Sequence, residues 1–271
     1  MIISIGVNIM SKIENDKYYT PVILAKHCIN KTFEIIGKEN ITEIIEPSAG
    51  NGSFSNQLEC IAYDLFPEHK NIIKQDYLKL EIEYKKGRLI IGNPPYGRCM
   101  NLAQKFFKKS IEISDYVAFI LPISQLNNTQ SMFEFDLIYS EDLGECTYSD
   151  RILHCCFNIY KRPVNGLNKQ IRTKLKDVKI VRQDSKQYNE IVNYDIRMCY
   201  WGNGSAGKIL KDNEHYSAEY KIIVLKDSVR EEVIRVLNEV NWFDELNKIA
   251  MLKIQQFHIY NLLKREIIGI E

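Results

Sequence analysis

The sequence predicts an α/β doubly wound domain followed by a smaller α+β region. Three observations lead there. Short apolar runs alternate with helical-period segments over the first 160 residues. A glycine-containing turn follows the first of those runs, as it does where a strand hands over to a ligand loop in open α/β sheets. The composition then shifts after Tyr160, where basic residues outnumber acidic ones from Lys161 to Lys186.

In chain order, Thr20 as N-cap and Pro21 at the first helical position open a helix carrying Val22, Ala25, Cys28, Ile29, Thr32, Phe33 and Ile36, and Gly37 stops it. Strands are expected over 41–46, 60–64, 71–76 and 88–93, the second and third ending in the carboxylates Asp64 and Asp76. A helix over 101–113 buries Leu102, Phe106 and Ile113 and turns Lys105, Lys108 and Lys109 outward. Strands over 117–121, 143–148 and 152–160 complete a sheet of seven.

We place a boundary near Arg162, giving a leader over 1–16, a catalytic domain over 17–162 and a separate region over 163–271. That last region holds a strand over 222–225, a capping box at Ser228–Glu231 opening a helix, and a final helix over 252–264.

The formal net charge of +1 does not announce a polyanionic partner, so charge must be read locally. Seven cysteines without regular spacing fit a reducing compartment better than a disulfide framework. No apolar stretch approaches the roughly 20 residues of a membrane span, and a cytoplasmic protein without membrane association is the expectation.

Two stretches carry chemistry. Asn93-Pro94-Pro95-Tyr96 ends the run Arg88–Ile91; two prolines cannot continue a ladder, so the chain leaves the sheet at Asn93. An amide, a prolyl carbonyl and an aromatic ring then share one rigid loop, which suits a planar group bearing an NH2. A plain strand-ending turn is the competing reading. Glu46-Pro47-Ser48-Ala49-Gly50-Asn51-Gly52-Ser53-Phe54 leaves the first strand, and its small residues let a ligand approach the backbone. Asp64 and Asp76 follow in order, where carboxylates can accept from ribose hydroxyls and from an adenine amino group.

Tyr19-Thr20-Pro21, Glu46–Phe54, Asp64, Asp76 and Asn93–Tyr96 together resemble the ordered motifs of S-adenosylmethionine-dependent N6-adenine DNA methyltransferases of the gamma type. The resemblance covers roughly residues 17–160. It implies a Rossmann-like class I methyltransferase fold with a mixed, mostly parallel seven-stranded sheet, S-adenosylmethionine as cofactor and double-stranded DNA as substrate. A trailing target-recognition region is also implied, with a cognate restriction endonuclease or partner subunit as a further expected partner.

By the same resemblance, Thr20, Glu46, Ala49 and Gly50 surround the methionine moiety, Tyr19 and Asn93 also belong to the cofactor site, Asp64 holds the ribose, Asp76 the adenine, and Phe54 packs nearby. Asn93, Pro94, Pro95 and Tyr96 form the catalytic loop, in which Asn93 and the Pro94 carbonyl accept from the target amine. Tyr96 stacks on an extruded base, with Phe157 as a second aromatic beside it. An RNA adenine methyltransferase or a protein glutamine methyltransferase shares this loop and is the alternative, as is a catalytically silent DNA-binding subunit of the same fold.

Other patterns are weaker. His154-Cys155-Cys156 and His27-Cys28 lack metal-ligand spacing, and no metal site is expected. Gly202-Asn203-Gly204-Ser205-Ala206-Gly207 matches G-x-G-x-x-G, with Asp227 downstream, but no suitable helix follows, and a tight turn is expected. The basic stretch from Lys161 to Lys186, with Tyr188, Tyr194, Tyr200 and Trp201 beyond it, is either a phosphate-contacting surface or a solvated linker.

Overall fold

The structure is a computed structural model describing residues 19–128, 131–148, 151–170, 172–202, 204–246 and 252–271. The leader expected over 1–16 and Asn203 of the glycine-rich turn lie outside the described residues. The chain forms two compact units. The first holds Leu143–Arg162 and the described residues up to Pro122; the second holds Ile123–Asp142 and Pro163–Glu271.

The first unit opens with helix α1, Val22–Ile36. Ala25, Cys28, Ile29, Thr32 and Ile36 recur at helical spacing and are buried. Gly37 ends the helix at φ 82°, a conformation that costs glycine nothing, and its N–H closes on the Phe33 carbonyl. Thr20 is not the helix cap. Pro21 occupies that position, its carbonyl accepting from Ala25, and the threonine side chain is used elsewhere.

Strands β1 (Glu43–Glu46), β2 (Ile61–Asp64), β3 (Ile73–Lys74) and β4 (Arg88–Gly92) follow, then helix α2 (Asn101–Ile113) and strands β5 (Tyr116–Pro122), β6 (Asp136–Tyr148) and β7 (Arg151–Lys161). They form one seven-stranded sheet in the order β3-β2-β1-β4-β5-β7-β6. β1 to β5 pair in parallel, and β7 runs antiparallel to β5 from Tyr116↔Lys161 to Pro122↔Cys155. The strand order and the reversed β7 make this a Rossmann-like class I methyltransferase fold. β4 and β5 are buried almost throughout, as central strands covered on both faces must be.

The expected third strand is much shorter than 71–76. Asp76 turns the chain instead: its carboxylate accepts from the Leu78 N–H at 3.0 Å and caps a 3-10 turn over Tyr77–Lys79. On α2, Phe106 and Ile113 face inward as their spacing requires, joined by Ala103, Phe107, Ser110 and Ile111, while Leu102 is only half-buried.

Opposite the carboxyl ends of the strands, charge is neutralised in pairs. Arg88, almost wholly buried, bonds Glu43 at 2.5 Å and the Ile113 carbonyl at 2.8 Å. Arg162 bonds the Ser114 carbonyl and approaches Asp115 to 3.3 Å. These contacts absorb the polar residues around Glu83-Tyr84-Lys85, for Tyr84 donates to Asp115 and Lys85 to Glu43.

The second unit contains strands β8 (Val178–Arg182), β9 (Ile196–Cys199), β10 (Trp201–Gly202) and β11 (Glu219–Val224), helices α3 (Arg230–Glu239) and α4 (Trp242–Glu245), strand β12 (Leu252–Lys253) and helix α5 (Gln256–Glu266). Antiparallel β8-β11-β9 packs Ile180, Ile196, Met198, Ile222 and Val224 against Val233, Leu237, Ile259 and Leu263 of the helices. This is an α+β layer with its own core.

Two local expectations fail here. Ser228 and Glu231 form no capping box, because a 3-10 turn over Asp227–Val229 precedes α3 and Arg230 closes back on Asp227 at 2.7 Å. The last helix starts at Gln256 rather than Leu252, since Leu252 and Lys253 pair with β10. The glycine-rich turn returns Gly207 N–H to the Cys199 carbonyl at 2.7 Å and leads into no helix.

Gly87 sits at φ +75°, and a Cβ there would lie 2.8 Å from the Asn40 carbonyl oxygen. Gly87→Ala therefore combines left-handed strain with a backbone clash and should destabilise the protein by about 1–3 kcal/mol, read as a lower urea midpoint at unchanged m-value.

Candidate functional site

Parallel strands direct their carboxyl ends to one edge of the sheet, so the loops after β1, β2 and β4 meet there. Asn93 is the junction. Its amide donates from Nδ2 to Thr20 Oγ1 at 3.2 Å, and its Oδ1 accepts from the Tyr96 hydroxyl at 2.9 Å. Its backbone carbonyl accepts from Ser48 Oγ at 3.2 Å. One residue thus ties the segment before α1, the loop after β1 and its own loop together. Among the described residues no hydrogen bond is made to the carbonyl of Pro94, which follows directly.

Tyr96 is half-buried, with its hydroxyl desolvated and 3.6 Å from Cys155 Sγ on β7. Burial is the main reason its pKa lies well above the ordinary phenol value, with the Cys155 thiol adding to the shift. The hydroxyl is thereby a fixed donor, which holds Asn93 in one orientation.

The loop after β1 is built by its small residues. Ala49 N–H bonds the Tyr63 carbonyl at 2.9 Å and Gly52 N–H the Ala49 carbonyl at 2.7 Å, with Gly50 and Gly52 at φ 53° and 83°. Gly50 N–H donates to Asp64 Oδ2 at 2.8 Å, while Phe66 N–H donates to Oδ1 at 2.7 Å. Asp64 thus pins the glycine loop to the end of β2. Two of the roughly four acceptor positions of its carboxylate remain for a ligand.

Tyr19 lies across the same loop. A Cβ on Gly50 would stand 3.5 Å from its ring, and its hydroxyl donates to Glu68 in a short bond. That bond is the leading cause of a Tyr19 pKa raised to about 12. Ser53 Oγ donates to the Thr20 carbonyl at 2.7 Å, locking the Tyr19-Thr20 segment over the loop.

Glu46 ends β1 beneath this assembly and is 2% exposed. Oε2 accepts from Ser55 N–H at 2.8 Å. Desolvation outweighs that bond, and with the Asp64 charge nearby it raises the Glu46 pKa to about 7. The same burial pushes the neighbouring Cys60 thiol up to about 12, Glu46 adding to the effect. Two carboxylates lie near one loop, one of them buried and costly to ionise. Such a site stabilises a cation that replaces the lost water.

Tyr19, Thr20, Glu46, Ala49, Gly50, Asp64 and Asn93–Tyr96 are therefore brought to one edge. Asp76 follows the carboxyl end of β3, parallel to β2, and so lies on the same edge, while Phe157 is placed differently. Asp76 caps the 3-10 turn with one oxygen, and the other lies 3.7 Å from Lys79. Phe157 is wholly buried within β7, paired in register with Ile120, so it is a core residue without a face for a base. Phe54 is likewise buried, in keeping with packing. His154, Cys155 and Cys156 alternate along β7, and among the described residues no group of three His, Cys, Asp or Glu is arranged to hold a metal. No helix among the described residues is long and apolar enough to cross a membrane.

The sequence pattern assigns no contact to Ser48, Ser53 or Glu68 and weighs Cys155 only as a metal ligand. Both serines lie inside the glycine loop, where a hydroxyl able to reach a neighbouring loop is a readable signal. Glu68 and Cys155 meet Tyr19 and Tyr96 only through the fold and left no local trace.

No protein-family model matches the chain, and no curated protein does. Among solved structures, a candidate class I S-adenosylmethionine-dependent methyltransferase from Listeria monocytogenes is similar at 14% identity and a TM-score of 0.46, over 57% of this chain and 64% of that one. The chain thus spans under two thirds of that protein's length. A candidate RNA methyltransferase from Pyrococcus horikoshii is similar at 16% identity and a TM-score of 0.43, over 54% of this chain and 88% of that one. A Thermoplasma acidophilum protein is similar at 17% identity and a TM-score of 0.37, over 51% of this chain and 86% of that one.

Because the folded-state pKa of Glu46 lies above its unfolded value of 4.5, its contribution to stability is fully present below pH 4.5 and is lost as pH rises through about 7. The difference amounts to about 3 kcal/mol at 1.36 kcal/mol per unit. Glu46→Gln should lose this pH dependence and be more stable than the parent at pH 8, measured by urea denaturation of the ligand-free protein across pH 4.5–8.

Proposed function

We propose that the chain transfers a methyl group from S-adenosylmethionine to the N6 amino group of adenine in DNA, by direct displacement on an extruded base. The observation that carries the reading is the junction at Asn93. There an amide oxygen, the neighbouring Pro94 carbonyl and the Tyr96 ring share one rigid loop, tied to the glycine loop at the carboxyl edge of the sheet.

The residues fit the cofactor. S-adenosylmethionine carries a sulfonium and an ammonium group, and Glu46 with Asp64 supply two carboxylates beside a loop that glycines keep open to close approach. When bound, the cofactor supplies an electrophilic methyl group. Asp64 offers its remaining acceptor positions to ribose hydroxyls, and Phe66, half-exposed immediately beyond it, offers an aromatic face. Glu46 would be held as the carboxylate by a cation at the site, which offsets the desolvation that otherwise keeps its proton on.

An exocyclic amine is a poor nucleophile because its lone pair is delocalised into the ring. Asn93 Oδ1 and the Pro94 carbonyl accept its two N–H bonds, which favours a pyramidal nitrogen with its lone pair free for in-line attack. In the structure Oδ1 already accepts from Tyr96, and an amide oxygen has a second lone pair for the substrate. Tyr96 sets the direction of that lone pair through its hydroxyl and presents a partly exposed ring to the base. The proton released from the amine passes to solvent once the methylated nitrogen becomes acidic.

Asn93→Ala should lower methyl transfer by at least 100-fold while leaving cofactor binding measurable, since it removes an acceptor used in the transition state. Tyr96→Phe should retain more activity, because the stacking ring remains. The test is label transfer from tritiated S-adenosylmethionine into unmethylated genomic DNA, followed by nucleoside analysis. Label in N6-methyladenine supports the reading; label in RNA or in a glutamine side chain would replace the substrate, and unchanged turnover in Asn93→Ala would remove the assignment.

A further inference from the structure

We infer that the second unit carries a nucleic-acid backbone site in a groove between β8, the segment before it and the start of α5. The groove consists of two adjoining clefts of about 680 and 560 Å³ that share Lys174, Arg182, Gln256 and Tyr260. Its cations are Arg172, Lys174, Lys176, Lys179, Arg182 and Lys253, and no aspartate or glutamate lines it. In a chain with 36 basic and 35 acidic residues, such a run of one sign is a local feature that whole-chain composition hides.

Four of these six cations are not spent on the protein's own carboxylates. Lys176 reaches Glu271 only at 3.6 Å between exposed side chains, and Arg182 pairs with the exposed Asp184. Among the described residues, Arg172, Lys174, Lys179 and Lys253 form no ion pair, and all four are exposed. Thr173 and Leu175 turn inward between exposed cations, Leu175 entering the unit's core, so the charges are held along the groove by packing beneath them.

Charge alone would suit any polyanion, and the remaining lining narrows the choice. Phe257, partly exposed, borders the groove over the buried Tyr260, and Trp201, 47% exposed, stands opposite Lys253 in the β10–β12 pair. Opposed residues in an antiparallel pair share a face, so an indole lies beside an unpaired ammonium. Gln187, exposed, adds an amide of the kind that reads base edges, whereas Gln255 caps α5 and Gln256 donates to the Ile180 carbonyl at 3.2 Å. Cations for phosphates, the Phe257 and Trp201 faces for bases and an exposed amide together favour a nucleic acid over a phospholipid surface or an acidic peptide.

Tyr188 is buried and donates to Glu219, and Tyr200 stacks on Tyr220 within the unit, so neither is the exposed aromatic of the site. Lys253 and Phe257, from the far end of the chain, take their place. The inference rests on the proposed function only for its choice of DNA as the first nucleic acid to try.

The test uses the full chain and fluorescence anisotropy with labelled duplex DNA, single-stranded DNA and RNA across a salt series. Replacing Lys174, Lys179 and Lys253 together by Ala should weaken binding on the order of 100-fold at 0.15 M salt. On a duplex it should flatten the log–log salt slope by about 2.7, at 0.9 per phosphate contact. A second triple variant, Lys86→Ala, Lys105→Ala and Lys108→Ala, removes the same charge from the first unit and should change binding less than threefold. Equal losses in the two triples would overturn the groove, as would binding of anionic phosphatidylserine vesicles with no binding of any nucleic acid. Label transfer from tritiated S-adenosylmethionine by the parent chain separates the two readings: groove binding without methyl transfer would sink the proposed activity and leave the groove standing.

Discussion

Asn93 must make three hydrogen bonds at once, and the geometry of the candidate site depends on that requirement. Its two side-chain polar atoms and its carbonyl face three different partners, Thr20, Tyr96 and Ser48, each on a separate stretch of chain. The Pro94-Pro95 pair makes this possible, because a residue before proline is held extended and cannot turn its amide back onto the strand. An amide held by partners on both atoms has one orientation, so the site is organised before a ligand enters. Such preorganisation is where most electrostatic catalysis originates.

Glu46 and Asp64 divide two tasks that carboxylates can perform at the end of a parallel sheet. Asp64 stays partly exposed and serves the architecture, holding Gly50 and Phe66 by their N–H groups. Glu46 is buried and stays near its protonation midpoint at neutral pH, a condition tolerated where a cation is expected to arrive. The two environments differ because β1 is central and β2 lies nearer the sheet edge. Sheet order thus sets the electrostatics of the loops that leave it.

The second unit solves a different problem. Its buried charges are neutralised internally: Arg197 lies 3.3 Å from Glu219, which also accepts from Tyr188, while Asp195 is held by Arg230. With its interior charges matched, the unit can leave a row of lysines unmatched at the surface, where solvation removes the cost of doing so. That asymmetry separates a charge run that holds a fold together from one facing outward.

Local chemistry made much of this readable in advance. The strand positions, the α2 boundaries, the glycine loop and the Asn-Pro-Pro-Tyr exit follow from periodicity, from the missing Cβ of glycine and from the missing N–H of proline, all properties of a residue and its near neighbours, whereas β1 to β4 follow one another without the alternating helices the pattern suggests. Sites that needed a distant partner were read less well. Thr20 has the chemistry of a helix cap but bonds Asn93, 73 positions away, and at Ser228 the Arg230–Asp227 contact takes the place of a capping box. Phe157 was given to a substrate and belongs to the core. The cationic groove joins Lys174 to Lys253, 79 positions apart in the chain. The sequence by itself determined which residues could leave a strand, turn or close a helix, because those limits are covalent and steric. Which polar atoms meet, and which charges stay unmatched, was decided only by tertiary structure, because hydrogen bonds and Coulomb forces depend on distances in space rather than positions along the chain.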